Sequence, residues 1–140
     1  MPRLFQQDDL VAIPSNARQV VSSPEVSSTT SASFVEMKGW VVPHPGMYRF
    51  KYSVRLYGTV QVWDTELRVN DVREGKPRTS SIGEWVEYTE DLGQLKKDDK
   101  VSVYGRIFSN STLEVTNFIV LAEYSYRFPA IDPGKITKAS

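Results

Sequence analysis

Between Tyr48 and Arg55 large apolar residues alternate with polar ones. Tyr48, Phe50, Tyr52 and Val54 share one parity, and Arg49, Lys51, Ser53 and Arg55 share the other. A period of two predicts a strand with one dry face and one wet face. Strand-like runs recur from Phe34 to Tyr126: "FVEMKGWVV", "TVQVWDTELRV", "EWVEYTEDL", "KVSVYGRIF" and "TLEVTNFIVLAEYSYRF". Turn signals separate them, among them "PHPG", Gly58, "KKDD" and "SNS", and no helical period is sustained. This spacing predicts an all-β fold, a two-sheet antiparallel β-sandwich. The dry parity of 48–54 is expected to meet Val101, Val103, Ile107, Phe118 and Val120 across a shared core. The sandwich is placed at 28–126.

Flanking it, residues 1–27 read as an extended N-terminal arm and 127–140 as a C-terminal tail. The arm carries scattered apolar anchors, Leu4, Phe5, Leu10, Val11, Ile13, Val20 and Val21, broken by Pro14 and Pro24. A segment of that kind cannot bury its anchors within itself, so a partner surface is expected to order it. The polar run at 22–33 reads as a linker or as an edge segment.

Composition narrows the function classes. The chain has 140 residues, no cysteine, and 17 basic against 17 acidic residues, for a formal charge of zero. Disulfides and thiolate metal sites are therefore unavailable, and a neutral chain lacks the electrostatic footprint of a nucleic-acid binder. No stretch approaches a membrane span. Asp8 and Asp9 stand where a leader needs an apolar run, so no secretion signal is expected.

The order "WVVPHPGMYRFKYSV", "LGQLKKDDKVSVYGR", "NFIVLAEY" resembles the jelly roll of the complement first-component globular heads and their tumour-necrosis-factor-like relatives. Lys97-Asp98 departs from that pattern, which has a glycine before the acidic residue. "SSTTSASFVEMK" and "TELRVND" look like strings in bacteriophage and prophage structural proteins. The resemblance implies a jelly roll in a trimeric virion component.

Catalytic candidates are sparse. His44, the single histidine, sits between two prolines in a turn, with no carboxylate nominated to orient it. The carboxylate pairs Asp8-Asp9, Glu90-Asp91 and Asp98-Asp99 lack any further catalytic or calcium-binding marker. No enzyme activity, cofactor, metal, small-molecule substrate, nucleic acid or membrane is expected. Trp40, Trp63 and Trp85 are assigned to a subunit interface in preference to a sugar platform, since aromatics are enriched at interfaces. The expected function is a homotrimeric capsid decoration protein, made in the host cytoplasm and bound through its arm to a major capsid protein. The alternative is a fibre-tip or surface module recognising host glycan or protein, with the 70–83 loop as its contact.

Overall fold

The computed structural model describes residues 18–58, 62–80, 83–108, 111–122 and 133–140. Strand β4 (Gly46–Gly58) fulfils the alternation: every residue of the dry parity from Tyr48 to Leu56 is buried. On either side of it lie β10 (Ser111–Ala122) and β8 (Val86–Leu95), both antiparallel to it. Beyond β10 run β1 (Arg18–Ser23) and the short β2 (Ser27–Thr29), which pair successive stretches of that strand. These five strands form the first sheet.

The second sheet runs in the order β11 (Lys135–Lys138), β3 (Val35–Val41), β9 (Lys100–Ile107), β5 (Trp63–Val69). Strands β6 (Val72–Arg73) and β7 (Arg78–Ser80) both pair with β5. The β5–β6 hairpin turns on Asn70 and Asp71, both at positive φ. That is the chemistry a two-residue turn needs to match strand twist. The chain is thus an all-β, two-sheet antiparallel sandwich whose core lies between the layers. Burial of each large core side chain contributes on the order of 1.5–3 kcal/mol before entropy is counted.

Part of the expected packing is lateral. Val101, Val103 and Ile107 do face β4 from the second sheet, but Phe118 and Val120 lie beside it on β10. Val120 is the register partner of Phe50, and the Phe118 ring stacks on the Phe50 ring at 6.1 Å.

Two boundaries shift. Residues 18–29, read as arm and linker, contribute β1 and β2 to the first sheet. Val20 and Val21 are half-buried against the core, so the chain covers these two anchors itself. Leu4, Phe5, Leu10, Val11 and Ile13 lie outside the described residues. Within the expected tail, β11 adds an edge strand to β3 and packs Ile136 on the core. Edge strands owe much of their stability to ladder hydrogen bonds, which leave little trace in a hydrophobic pattern.

Lys38 shows how β11 is fastened. A register shift between Glu36 and Lys38 interrupts the β3–β9 ladder. The Lys38 side chain is fully buried. Its ammonium donates to Ser23 Oγ at 3.0 Å and to the carbonyls of Glu25 and Ala139. Burial pushes this amine below its ordinary value, and the nearby Glu25 carboxylate partly opposes that. The Trp40 indole donates Nε1 to the Pro133 carbonyl at 2.7 Å, a second tie to the same segment.

Candidate functional site

On the outer face of the first sheet, the wet parity of β4 carries Arg49, Lys51, Ser53, Arg55 and Tyr57. Its ion pairs are cross-strand. Arg49 donates Nε to Asp91 on β8 at 2.8 Å, and Arg55 donates Nε to Glu114 on β10 at 2.9 Å. The first pair holds the Arg49 guanidinium above its usual range, chiefly through hydrogen bonds to Asp91. Glu66 belongs to the other sheet and binds Arg68 there. Glu87 lies opposite Ser53.

At the end of this face the composition changes. Tyr57 is 63% exposed and Trp85 41%, the two most conspicuous aromatic surfaces among the described residues. Register places them: Val54 pairs with Val86, so Trp85 enters the sheet one step beyond, beside Arg55, while Tyr57 follows Arg55 by two. The Arg55 guanidinium carbon lies 4.5 Å from the Trp85 ring centroid and 5.6 Å from that of Tyr57. A guanidinium held by Glu114 and drawn to both ring faces fixes the rings relative to each other. The result is a rigid platform of two apolar ring faces around a charged hydrogen-bonding centre, with Thr112 opposite Tyr57.

The other two tryptophans are not surface residues. Trp40 and Trp63 are 0% exposed. Trp40 packs edge-on against Tyr48 and Phe50, and Trp63 against Tyr88. Their assignment to a subunit interface is therefore corrected: both are core residues, leaving no area for a second subunit. Trp63 shares its inward parity with Thr65 and Leu67, whereas the outward positions of β5 are Asp64, Glu66 and Arg68.

The described part of the 70–83 loop is exposed at residues 70–74 and at Lys76, Pro77 and Thr79. It is anchored to the sandwich by hydrogen bonds. The Gly75 and Glu74 amides donate to the Leu67 carbonyl, and the Lys76 amide donates to Glu90 Oε2 at 3.0 Å. Arg78 reaches the same carboxylate at 3.4 Å.

The outer face of the second sheet is occupied by its own network. Arg68 lies over Phe34 and Tyr104, and Arg106 over Phe34 and Phe108. Arg106 is paired with Asp64 at 2.8 Å, and the Tyr104 hydroxyl donates to Asp71 at 2.8 Å. Desolvation, then the bond to Asp71 and its charge, push the Tyr104 hydroxyl up to about 12.

The carboxylate pairs separate. Glu90 faces Arg78 and Asp91 faces Arg49. Asp98 makes an exposed pair with Lys97, whereas Asp99 accepts from the Lys96 amide and from Asn70, which lowers its carboxyl. A groove of about 340 Å³ beside Leu92 and Leu95 is lined by Asp91 and Asp99, both already committed to these partners. No metal-holding group of three ligands occurs among the described residues. His44 is an exposed turn residue whose carbonyl accepts from the Tyr48 hydroxyl.

Sequence reading passed over Tyr57 and Arg55 as a site, although a signal was present. Tyr57 and Trp85 are aromatic residues on parities that are otherwise polar (Arg49 to Arg55, and Glu87 to Asp91).

No protein-family model and no curated protein matches the chain. Solved structures do resemble it. The CBM22-1 xylan-binding domain of Paenibacillus barcinonensis Xyn10C superposes with a TM-score of 0.53 at 9% identity, over 80% of this chain and 99% of that one. The Clostridium thermocellum Xyn10B CBM22-1–GH10 modules, complexed with xylohexaose, give 0.49 at 12% identity over 76% of this chain, which spans 29% of that protein's length. Eiger TNF from S. frugiperda gives 0.43 at 12% identity, over 74% and 90%. Identities this low concern the fold alone. The neighbours are of jelly-roll type, in line with the strand order of the two sheets.

Proposed function

We propose that the chain is a non-catalytic recognition module that binds carbohydrate on the Tyr57–Arg55–Trp85 platform. The observation that carries this reading is the pair of exposed rings held about one guanidinium, on strand parities whose other positions from Arg49 to Ser53 and from Glu87 to Asp91 are polar. A pyranose has apolar C–H faces and a hydroxyl rim. Flat rings match the first, and Arg55, Glu114 and the Tyr57 hydroxyl match the second. Sharing a fold with a xylan-binding domain is compatible with this use.

Tryptophan fluorescence tests it, because Trp85 is the exposed indole beside two buried ones. Titration with xylohexaose, and with a panel of other oligosaccharides, is expected to give saturable quenching with at least one of them. Tyr57→Ala, read by the same quenching, and Trp85→Ala, read by titration calorimetry because it removes the probe, are each expected to weaken binding by roughly ten-fold or more, since ring truncation at a contact centre costs on the order of 2 kcal/mol. Their melting temperatures should stay close to that of the parent. Parent-like affinity in both variants, or no binding across the panel, refutes the proposal.

The alternative is a protein contact within a trimeric virion-surface assembly. One observation favours it: Trp, Tyr and Arg are also the residues that dominate protein interfaces. Native mass measurement and the copy number of the chain in purified particles separate the two. A trimer that is plentiful in particles and binds no glycan selects the assembly.

A further inference from the structure

Among the described residues only two buried side-chain N–H groups lack a partner, Trp63 Nε1 and Arg78 Nε. They occur together. In the β5–β7 ladder Trp63 pairs with Ser80 and Thr65 with Arg78, so Trp63 and Arg78 are diagonal neighbours on the inward parity. Both bear on the same ring of the opposite sheet: Trp63 meets Tyr88 edge-on at 6.0 Å, and the Arg78 guanidinium lies over it at 4.9 Å.

Arg78 differs from the other ion-paired arginines. Arg49, Arg55, Arg68 and Arg106 each donate Nε to a carboxylate at 2.7–2.9 Å. Arg78 reaches Glu90 only through Nη2 at 3.4 Å and the Thr89 carbonyl through Nη2 at 3.3 Å. Its Nε is buried and unused. Leaving one such donor unmade is costly, and two side by side are unusual in a folded chain.

We propose that this seam between β7 and β8 is a binding site for a carboxylate group. The Nε–Nη edge of a guanidinium presents two parallel donors at the spacing of carboxylate oxygens. The Tyr88 ring holds the guanidinium plane, and Trp63 Nε1 supplies a neutral donor from the side. The seam can admit a ligand because no main-chain ladder closes it among the described residues: β7 pairs with β5, and β8 with β4. The joining bonds are those of Arg78 and the Lys76 amide to Thr89 and Glu90. Arg78 keeps 21% of its side chain exposed while its Nε is buried, so a carboxylate reaches the Nε–Nη2 edge by displacing the long Nη2 bonds to Thr89 and Glu90. This site is separate from the platform on the outer face and does not depend on the carbohydrate reading.

The test follows the Arg78 Hε and Trp63 Hε1 resonances of the full chain. Sodium acetate and sodium glucuronate are titrated in parallel, with sodium chloride at equal ionic strength and glucose as controls. Both resonances are expected to shift saturably with the carboxylates. Tighter binding of glucuronate identifies a sugar acid, and equal binding identifies a site for carboxylates in general. Arg78→Lys keeps the charge but loses the two-donor edge, and should weaken binding by roughly ten-fold or more. Trp63→Phe keeps an aromatic ring in the core at some loss of volume, and should remove the indole contribution while the Arg78 Hε resonance still shifts with the carboxylates. The proposal fails if chloride or glucose moves the two resonances as far as the carboxylates do. It also fails if nothing moves them, or if Arg78→Lys binds as the parent does.

Discussion

Replacing Lys38 by Met isolates the tie between the ends of the sandwich, because Met retains most of the stem volume and removes the ammonium. Three bonds from a charged donor are lost, to Ser23 Oγ and to the carbonyls of Glu25 and Ala139. At about 1.5 kcal/mol each, the gross loss is about 4–5 kcal/mol. Removing a charge confined in the interior returns on the order of 2 kcal/mol. The net expectation is a destabilisation of about 2–3 kcal/mol, or a urea midpoint lowered by about 1–2 M. Ser23→Ala should be non-additive with it in a double-mutant cycle, since the two side chains share one bond. The pH dependence has a definite sign. The folded amine lies below its ordinary value of 10.5, so between the folded value and 10.5 the unfolded chain holds more protons. Stability of the parent then rises with pH through that window, while the Met variant lacks the contribution. The gap between them should widen on going from neutral pH to pH 10.5. A Met variant as stable as the parent at neutral pH would refute the clasp, and a gap that narrows would show that the cage favours the charged form.

Other outcomes are equally specific. Gly134 has a φ of +74°, and a Cβ there would run into the Val41 carbonyl and the Trp40 indole. Gly134→Ala should cost about 2–4 kcal/mol from left-handed strain and overpacking, and should raise hydrogen exchange of β11 first. Trp40→Phe loses the bond to the Pro133 carbonyl as well as volume, and should lower stability by about 2 kcal/mol in chemical denaturation. Asp99 is depressed by the Lys96 amide and Asn70, so its contribution is present above its ordinary 3.8 and lost as pH falls through the folded value. Asp99→Asn should therefore be less stable at neutral pH and converge on the parent in acid melts. The Tyr52 hydroxyl is pushed up to about 12 by burial, so its stabilising contribution is intact below pH 10 and lost as pH rises through about 12. Near-ultraviolet absorbance of Tyr52→Phe should lack a late-ionising tyrosine that the parent has.

What the sequence makes legible is what a period of two can carry. The Tyr48–Val54 parity, the one-sided strands and the two-layer architecture all follow from it. β1 and β11 escape because Val20, Val21 and Ile136 are too few to make a pattern, and their pairing is set by β10 and β3. Trp40 and Trp63 are ambiguous by type, since an indole suits a core and an interface equally. Only the parity of Trp63 with Leu67 favours the core. Lys38 is invisible for a different reason. The irregularity in the β3–β9 ladder at Glu36–Lys38 breaks the alternation locally, and nothing in "FVEMKGWVV" announces a buried ammonium there. The platform was readable in principle, because Tyr57 and Trp85 violate wet parities. The seam was not, because it depends on which N–H groups the finished fold leaves without acceptors.

The arginine–carboxylate pairs on the two sheets also bear on how fast a partner is found. Arg49, Arg55, Arg68 and Arg106 face Asp91, Glu114, Glu66 and Asp64 at close range, on a chain with a formal charge of zero. Such dipolar pairs cancel within a few ångströms and project no field beyond the screening length. Encounter is then an unguided search, with association rates in the range of about 10⁵–10⁶ M⁻¹s⁻¹ that added salt leaves nearly unchanged. Whatever the domain binds, selectivity has to be exercised after contact, through the lifetime of the complex.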